Sequence, residues 1–198
     1  MARSSSRDLA LVAVGAALIA VLGLPGSFQP PGLTVPLTAQ TLGVMLVGAL
    51  LGSRRGFLAA ATFLVLVAAG LPLLAGGRGG LGVFTGPSAG FALGFAAGAF
   101  VVGLMVESWR GRFALSWVLL ANIVGGILVI YAIGIPVQAK VTGLPLTVVL
   151  AKSWVFLPGD LAKAVLAAFV ARAVHRGYPV LSPAHRRERE DAATTPAP

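Results

Sequence analysis

The sequence predicts an all-α integral membrane protein whose six transmembrane helices form a single domain over residues 1–176. The 198 residues are 57% hydrophobic and only 11% charged, whereas a soluble domain carries about 25% charged residues. Their mean hydropathy is +0.92. Apolar runs of membrane-spanning length follow one another, separated by glycine, proline or charged turns. These runs leave no room for a separate soluble domain, and residues 177–198 are predicted to form a cytoplasmic tail with a disordered end.

The first predicted span is Leu9–Leu24, which follows a short basic and serine-rich start. Such a start and a short apolar run resemble a secretory signal peptide, but no Ala-x-Ala cleavage site follows, so we expect an uncleaved helix. Alanines recur along it at a spacing of four, in the pairs Ala13 with Ala17 and Ala16 with Ala20. Small residues at this spacing let another helix approach closely, although packing inside the molecule would produce the same pattern.

The second and third predicted spans are Leu37–Leu51 and Phe57–Ala69, with the basic turn Gly52–Gly56 between them. Three polar residues stand at the entrance of the second span: Thr38, Gln40 and Thr41. Their side chains can offer hydrogen bonds to a ligand. Capping of the helix and contact with another helix explain these residues equally well.

A glycine-rich stretch, Leu71–Gly90, connects the predicted third and fourth helices on the outer side of the membrane. Six glycines from Gly76 to Gly86 surround Arg78, but no Gly-Lys-Thr follows, so a phosphate-binding P-loop is not predicted. Irregular backbone at membrane depth must line a cavity or be buried in protein. We therefore expect a loop that dips into the membrane beside a ligand, to which Arg78 would supply positive charge.

Five glycines recur at a spacing of four: Gly82, Gly86, Gly90, Gly94 and Gly98. From Gly86 onward they predict that the fourth span, which ends near Val106, packs closely against another helix. The fifth predicted span is Leu115–Ile133, and a loop, Gly134–Thr142, is expected to follow it. The polar members of the fifth span are Asn122 and Tyr131. Asn122 either faces a site or makes an interhelical hydrogen bond.

The sixth predicted span, Leu146–Val174, carries two charges at membrane depth. A Pro158-Gly159 break in its middle is followed by Asp160 and, three residues later, by Lys163. Residues three apart share a helix face, and both proline and an acid suit the first turn of a helix. An ionised group at this depth costs at least about 2.5–3.5 kcal/mol unless it is paired or hydrated. The pair is therefore predicted to bind a ligand, and the alternative is an ion pair that only joins two helices.

The distribution of basic residues predicts the orientation in the membrane. With six spans both termini lie on one side, and that side collects eleven of the fifteen basic residues: Arg3, Arg7, Arg54, Arg55, Arg110, Arg112, Arg172, Arg176, Arg186, Arg187 and Arg189. The positive-inside rule then places both termini in the cytoplasm, with the protein in the cytoplasmic (inner) membrane. Because the basic residues lie between and after apolar runs, the net charge of +9 does not indicate nucleic-acid binding.

The residues predict a binding or transport protein rather than an enzyme. The sequence has no nucleophile–base pair, no His-Glu-x-x-His, no cysteine and no Walker motif, so no catalytic site, metal site or cofactor is predicted. A polar ligand would bind on the outer side, with Asp160 accepting hydrogen bonds. Because nothing in the chain could hydrolyse ATP, concentrative uptake requires partner subunits or an ion gradient. A proton-coupled secondary carrier of a small organic anion is the alternative, although such carriers have internal repeats and no clear one is present.

Four segments, in order along the chain, carry a resemblance to a known family. They are Pro36–Met45 (PLTAQTLGVM), Ala75–Gly82 (AGGRGGLG), Gly86–Gly90 (GPSAG) and Phe156–Lys163 (FLPGDLAK). Together they resemble BioY, the biotin-binding S component of energy-coupling factor transporters. The resemblance runs from the first span through the sixth and leaves only the tail uncovered.

The resemblance implies a six-helix fold with cytoplasmic termini and a biotin site near the outer face. It also implies partners, namely a transmembrane coupling protein and two cytoplasmic ATPase subunits. An Ala-x-x-x-Ala pattern meets the coupling protein in S components, and two pairs match it here: Ala13 with Ala17, or Ala16 with Ala20. The acid and the lysine that contact biotin in the family match Asp160 and Lys163.

Overall fold

The structure, a computed structural model, describes residues 6–29, 31–108 and 114–177. In chain order its elements are α1 Ser6–Val21, α2 Gln40–Ala68, a 3₁₀ turn Leu81–Thr85, α3 Ala89–Ser108, α4 Leu115–Ile123, a π-helix Val124–Val129, α5 Ile130–Thr142, α6 Leu146–Ser153 and α7 Leu157–Gly177. The predicted tail beyond Gly177 and the arginines Arg110 and Arg112 lie outside the described residues.

The all-helical class predicted from the sequence is confirmed for the described residues, where extended pairing is limited to two isolated bridges. Three helical stretches are long and apolar enough to cross a membrane: α2, α3 and the continuous helix Leu115–Thr142. The bent pair of α6 and α7 makes a fourth if it is counted as one span. Helix α1 has 16 residues and is shorter than these, so the count of six spans stays a prediction.

Helix α2 is bent at Gly52, whose φ of 83° and ψ of −177° are not helical. Only glycine adopts this backbone conformation readily. The bend divides α2 into two segments that correspond to the second and third predicted spans. At the start of the second segment, the backbone N–H and the hydroxyl of Ser53 both donate to the carboxylate of Glu107, at 3.1 and 2.5 Å. Gly103 lies so close that a β-carbon there would overlap the backbone of Gly52.

The main hydrophobic core lies where α1, α2 and α3 meet, and Ile19, Phe63 and Phe95 are among its buried members. Helix α7 closes the other side of the molecule, where it packs against α2 and α4. The amide of Asn122 donates a 3.1 Å hydrogen bond to the backbone carbonyl of Ala164. Of the two roles expected for Asn122, the structure therefore shows the interhelical hydrogen bond.

The predicted glycine face of the fourth span is present in α3, but it begins later than expected. Because α3 starts at Ala89, Gly86 precedes the helix. Gly90, Gly94 and Gly98 lie against the helix Leu115–Thr142, and a β-carbon on any of them would come within 3.1 Å of its atoms. The absence of side chains at these positions therefore allows the two helices to approach closely.

The loop predicted over Gly134–Thr142 is wrong, because α5 continues through Pro136 to Thr142. A proline inside a helix costs about 3 kcal/mol, but helices in membranes tolerate it where neighbouring elements compensate. Here Gly134 lets the Phe91 ring pack directly on the helix, since a β-carbon would lie 2.5 Å from that ring. The helix ends before Gly143, which has a left-handed conformation typical of a helix C-terminus.

The last predicted span consists of two helices, α6 and α7, that are bent by 53° relative to each other. The break lies at residues 154–156, upstream of the predicted position at Pro158-Gly159. Pro158 lies in the first turn of α7. Backbone N–H groups there have no partner within the helix, so the lack of an N–H in proline breaks no hydrogen bond. The bend therefore comes before the proline, and Asp160 lies in the first helical turn, as predicted.

Candidate functional site

A cavity opens where the start of α2, the loop before α3, and helices α3, α5 and α7 come together. It has about 600 Å³ of empty volume, including its open mouth. Its wall is formed by Val35, Pro36, Thr38, Gln40, Thr41, Leu74, Arg78, Ser88, Phe91, Ala92, Phe95, Ile130, Tyr131, Phe156 and Asp160. The lining is thus largely apolar and aromatic, with polar groups at a few places.

Asp160 is the buried acid of this cavity, with an exposed fraction of 4%. Its Oδ1 accepts hydrogen bonds from Lys163 Nζ at 2.8 Å and from Thr41 Oγ1 at 3.1 Å. Its Oδ2 accepts from the Tyr131 hydroxyl at 2.6 Å. A carboxylate offers about four lone-pair positions, and three donors occupy this one. Asp160 is therefore held as a charged acceptor that can take a further donor from the cavity.

Lys163 stands behind Asp160 rather than on the cavity wall. Besides its 2.8 Å salt bridge to Asp160, its ammonium donates to the backbone carbonyl of Thr38 at 2.6 Å and to Thr41 Oγ1 at 3.1 Å. All three ammonium protons thus have acceptors in the protein. A buried ion pair with complete hydrogen bonding is far less costly than an isolated charge, so this arrangement lowers the cost of placing the two groups inside the protein.

Local structure explains why Asp160 and Lys163 meet. The residues are three apart in α7, so their side chains share one face of the helix. The backbone N–H of Asp160 already donates to the carbonyl of Phe156, which fixes the start of α7. A carboxylate in the first turn also lies at the positive end of the helix dipole.

Arg78 contributes a second charged group to the same cavity. Its Nε donates to the carbonyl of Ala75 at 3.2 Å, and one terminal nitrogen donates to Ser88 Oγ at 3.1 Å. No carboxylate of the described residues forms a salt bridge with it. Burial lowers the pKa of the Arg78 guanidinium, but arginine stays protonated in proteins. The cavity therefore has an anionic acceptor at Asp160 and a cationic donor at Arg78 that has no counter-ion among the described residues.

Thr38 and Gln40 line the cavity, but their polar atoms are engaged by the protein. The hydroxyl of Thr38 accepts the backbone N–H of Gln40 at 3.3 Å, a local contact just before α2. The side-chain amide of Gln40 donates to the carbonyls of Ile19 and Leu73 and accepts from the backbone N–H of Ala75. Of the roles that the sequence left open, the structure therefore shows the helix contact for Gln40, through Ile19 of α1.

The loop between α1 and α2 lies next to the cavity, to which it contributes Val35. It is attached to the later helices by two side-chain hydrogen bonds. Gln138 donates to Thr34 Oγ1 at 2.7 Å, and Lys152 donates to the carbonyl of Gly32 at 3.1 Å. Residues from the first third of the chain are thereby held against α5 and α6.

The aromatic part of the site was not predicted from the sequence. Phe91 makes an edge-on contact with Tyr131, with ring centroids 6.0 Å apart, and a tilted contact with Phe156 at 6.5 Å. These rings come from α3, α5 and the break before α7. Tyr131 was noted only as a polar member of its span, and Ser88 only as part of a motif. No spacing along the chain connects either residue to Asp160 or Arg78.

The alanine pairs of α1 differ in their exposure. Ala13 and Ala17 are exposed, whereas Ala16 is 3% exposed and belongs to the main core. Ala20 is intermediate. The pair Ala13 with Ala17 is therefore the one on the outer surface, and Ala16 packs internally.

Comparison with known proteins agrees with the resemblance found in the sequence. The chain matches the BioY family over residues 1–180. It is 48% identical to the biotin transporter BioY of Rhizobium etli over 182 residues, which is 89% of this chain and 97% of that protein. It is 43% identical to the biotin transporter BioY of Rhodobacter capsulatus over 185 residues, which is 87% of this chain and 95% of that protein.

A solved structure has the same fold. It is the crystal structure of the S-component for biotin from an ECF-type ABC transporter, and it is 28% identical to this chain. The TM-score is 0.80, and the match covers 86% of this chain and 92% of that one. The similarity thus extends over most of both chains.

Proposed function

Because the chain belongs to the BioY family, we propose that it is the biotin-binding S component of an energy-coupling factor transporter and serves biotin uptake across the cytoplasmic membrane. The observation that carries this proposal is the buried Asp160, which faces an aromatic cavity while Lys163 neutralises it from behind. If the ion pair only joined helices, no cavity would be needed next to the Asp160 carboxylate.

The ureido ring of biotin has hydrogen-bonding groups that suit both Asp160 and Lys163. The ureido ring of biotin has two N–H donors and a strongly accepting carbonyl, and we assign an N–H to the remaining lone pair of Asp160. The family resemblance implies that Lys163 contacts biotin, and we assign it to the ureido carbonyl, for which the ammonium would exchange one of its three protein acceptors. Hydrogen bonds to charged groups are the strong ones, so this edge of the ligand would dominate recognition.

The remaining parts of biotin match the rest of the wall. The apolar thiophane ring fits among Phe91, Tyr131 and Phe156. Arg78 is assigned to the carboxylate of the valeryl tail, because it is a cation without a salt bridge in the described part of the chain and arginine binds carboxylates in a bidentate manner. Thr38 and Gln40 shape the wall, since their polar atoms are already bonded within the protein.

The proposal also includes partner subunits. The sequence contains no Walker motif, so ATP hydrolysis would be supplied by two cytoplasmic ATPase subunits. A transmembrane coupling protein would connect them to this chain and would dock on the exposed pair Ala13 and Ala17. Small residues on an exposed helix face allow the close approach that such docking needs.

The test is calorimetry of the detergent-purified chain with biotin in the absence of any partner. An S component should bind biotin and desthiobiotin, which keeps the ureido ring, and should not bind a derivative in which that ring is opened. A proton-coupled carrier would instead accumulate its substrate in proteoliposomes that contain this chain alone and a pH gradient. Absence of biotin binding by well-folded protein would contradict the proposal.

A further inference from the structure

A second cavity lies on the surface of the helix bundle, between α3 and the second segment of α2. We call it the Arg54 groove, and its lining residues are Arg54, Phe57, Leu58, Ala97 and Phe100. It has about 920 Å³ of empty volume with its open side included. Phe57 and Phe100 meet edge to face across it, with ring centroids 6.3 Å apart. The biotin cavity shares none of these residues.

Arg54 is the only charged residue lining this groove, and it has no counter-ion in the part of the chain that the structure describes. It is exposed and forms no salt bridge there. The nearby charged groups are already engaged, because Arg55 pairs with Asp8 at 2.7 Å and the Glu107 carboxylate accepts two hydrogen bonds from Ser53. The groove therefore has a positive charge that is available to an external anion.

The charge lies at one end of the groove, and the apolar lining extends from it toward the middle of the membrane. Arg54 follows the bend at Gly52 by two residues, at the end of α3 where Gly103 contacts Gly52. Ala97 lies near the centre of the 20-residue α3, a helix of about 30 Å at 1.5 Å per residue, which matches the hydrocarbon thickness of a bilayer. A cationic end at the membrane surface and an apolar channel toward its centre reproduce the arrangement of a phospholipid.

We propose that the Arg54 groove binds an anionic phospholipid, with the phosphate on Arg54 and an acyl chain along Phe57, Ala97 and Phe100. Basic pockets between transmembrane helices bind anionic head groups in this way. A free phosphate would use only Arg54 and would leave the aromatic lining exposed, so the occupant is a lipid. The helices of this multi-pass protein contact lipid along much of their surface, and this position differs in combining an apolar groove with an arginine in its lining.

Native mass spectrometry of the full-length, delipidated chain tests the proposal with phosphatidylglycerol and phosphatidylcholine titrated separately. The unmodified chain should retain phosphatidylglycerol more strongly. Arg54→Gln should reduce that preference about fivefold, since one basic residue near a membrane surface contributes about 1 kcal/mol. Arg176→Gln is the matched control, because it removes an exposed arginine from the end of α7, away from the groove. Ala97→Trp should fill the groove and weaken retention of both lipids.

Three outcomes would overturn the proposal. Equal retention of the two lipids by the unmodified chain would mean that the groove does not select anions. Equal loss of preference in Arg54→Gln and Arg176→Gln would mean that only net charge matters. Competition by inorganic phosphate as strong as that by phosphatidylglycerol would mean that the apolar lining plays no part. Biotin binding, measured in parallel on each variant, should stay unchanged and serves as the test of correct folding.

Discussion

The hydroxyl of Tyr131 on α5 donates a 2.6 Å hydrogen bond to Oδ2 of Asp160 on α7. The two residues are 29 positions apart in the sequence, and this bond joins two helices at the wall of the proposed biotin site. It fixes the orientation of the carboxylate, because Thr41 and Lys163 hold only the other oxygen. The accepting geometry of Asp160 therefore depends on a residue that is neither its helix neighbour nor its counter-ion.

Replacing Tyr131 with phenylalanine should weaken biotin binding about tenfold. A hydrogen bond to a charged group contributes about 1.5–3 kcal/mol, and a factor of ten corresponds to about 1.4 kcal/mol. Calorimetry with purified protein measures the change. Ser153→Ala is a suitable control, because that buried hydroxyl donates to Val149 in its own helix, away from the cavity. Unchanged affinity in Tyr131→Phe would show that Tyr131 does not position Asp160 for the ligand.

Asp160→Asn and Lys163→Ala should each reduce biotin affinity by roughly ten- to a hundredfold, because each breaks a hydrogen bond to a charged group. Asp160→Asn keeps the shape of the side chain and leaves Lys163 without its counter-ion. The double mutant should lose less than the sum of the two single losses, since either change already disrupts the pair. A binding assay and a thermal unfolding assay are needed together. Well-folded Asp160→Asn protein with normal affinity would make the pair purely structural.

Arg78→Gln should weaken binding of biotin about tenfold and should leave binding of biotin methyl ester almost unchanged. The reason is that the ester lacks the carboxylate that we assign to Arg78, and charge-assisted pairs are the strong hydrogen bonds. Lys140→Gln provides the control, because it removes an exposed charge of the same sign that does not line the cavity. Equal losses of affinity for biotin and for its methyl ester would contradict this assignment. They would mean that Arg78 only stabilises the loop, through its hydrogen bond to Ser88.

Ala17→Trp should abolish co-purification with the coupling protein and preserve biotin binding, because Ala17 is exposed on α1. Ala16→Trp should instead destabilise the chain, since Ala16 is buried in the core and overpacking a core typically costs about 1–3 kcal/mol. Ala173→Trp tests an exposed alanine on α7 and should have neither effect. Loss of both co-purification and biotin binding in Ala17→Trp would contradict the assignment of Ala17 to docking.

Cysteine labelling in intact cells tests the predicted orientation, and the absence of natural cysteines removes any background. A cysteine at Thr34 should react with an impermeant thiol reagent, whereas cysteines at Ser53 and Ser108 should be protected. Thr34 belongs to the loop on the cavity side, whereas Ser53 lies at the Gly52 bend inside α2 and Ser108 is the last residue of α3. The reverse pattern would move the proposed biotin site to the cytoplasmic face.

Local patterns predicted most of the helices and one part of the site. The turn at Gly52 and the meeting of Asp160 with Lys163 depend on residues close in the sequence, so spacing and glycine content were sufficient. The part of α5 from Gly134 to Thr142 was predicted to be a loop because Gly134 and Pro136 are local helix breakers. In the structure, packing of α5 against α3 outweighs that local preference.

The rest of the site depends on contacts between distant segments. Tyr131 and Thr41 reach Asp160 from α5 and α2, which are 29 and 119 residues away in the sequence. A single sequence carries no periodic signal for such pairs. Polarity alone marked Tyr131 and Thr41 as unusual within apolar segments, and the helix packing determines which partner each one meets.

The hydrogen bond from Lys163 to the carbonyl of Thr38 joins residues 125 positions apart, and it bears on the order in which the site is made during synthesis. Helices α1, α2 and α3 can pack together before α7 is made, because most of their shared core comes from these three helices, including Ile19, Phe63 and Phe95. Among the residues of the proposed site, Asp160 and Lys163 emerge from the ribosome last. A nascent chain thus acquires its affinity for biotin only after α7 has entered the bilayer. Chains that are truncated before α7 would therefore insert into the membrane but would not bind biotin.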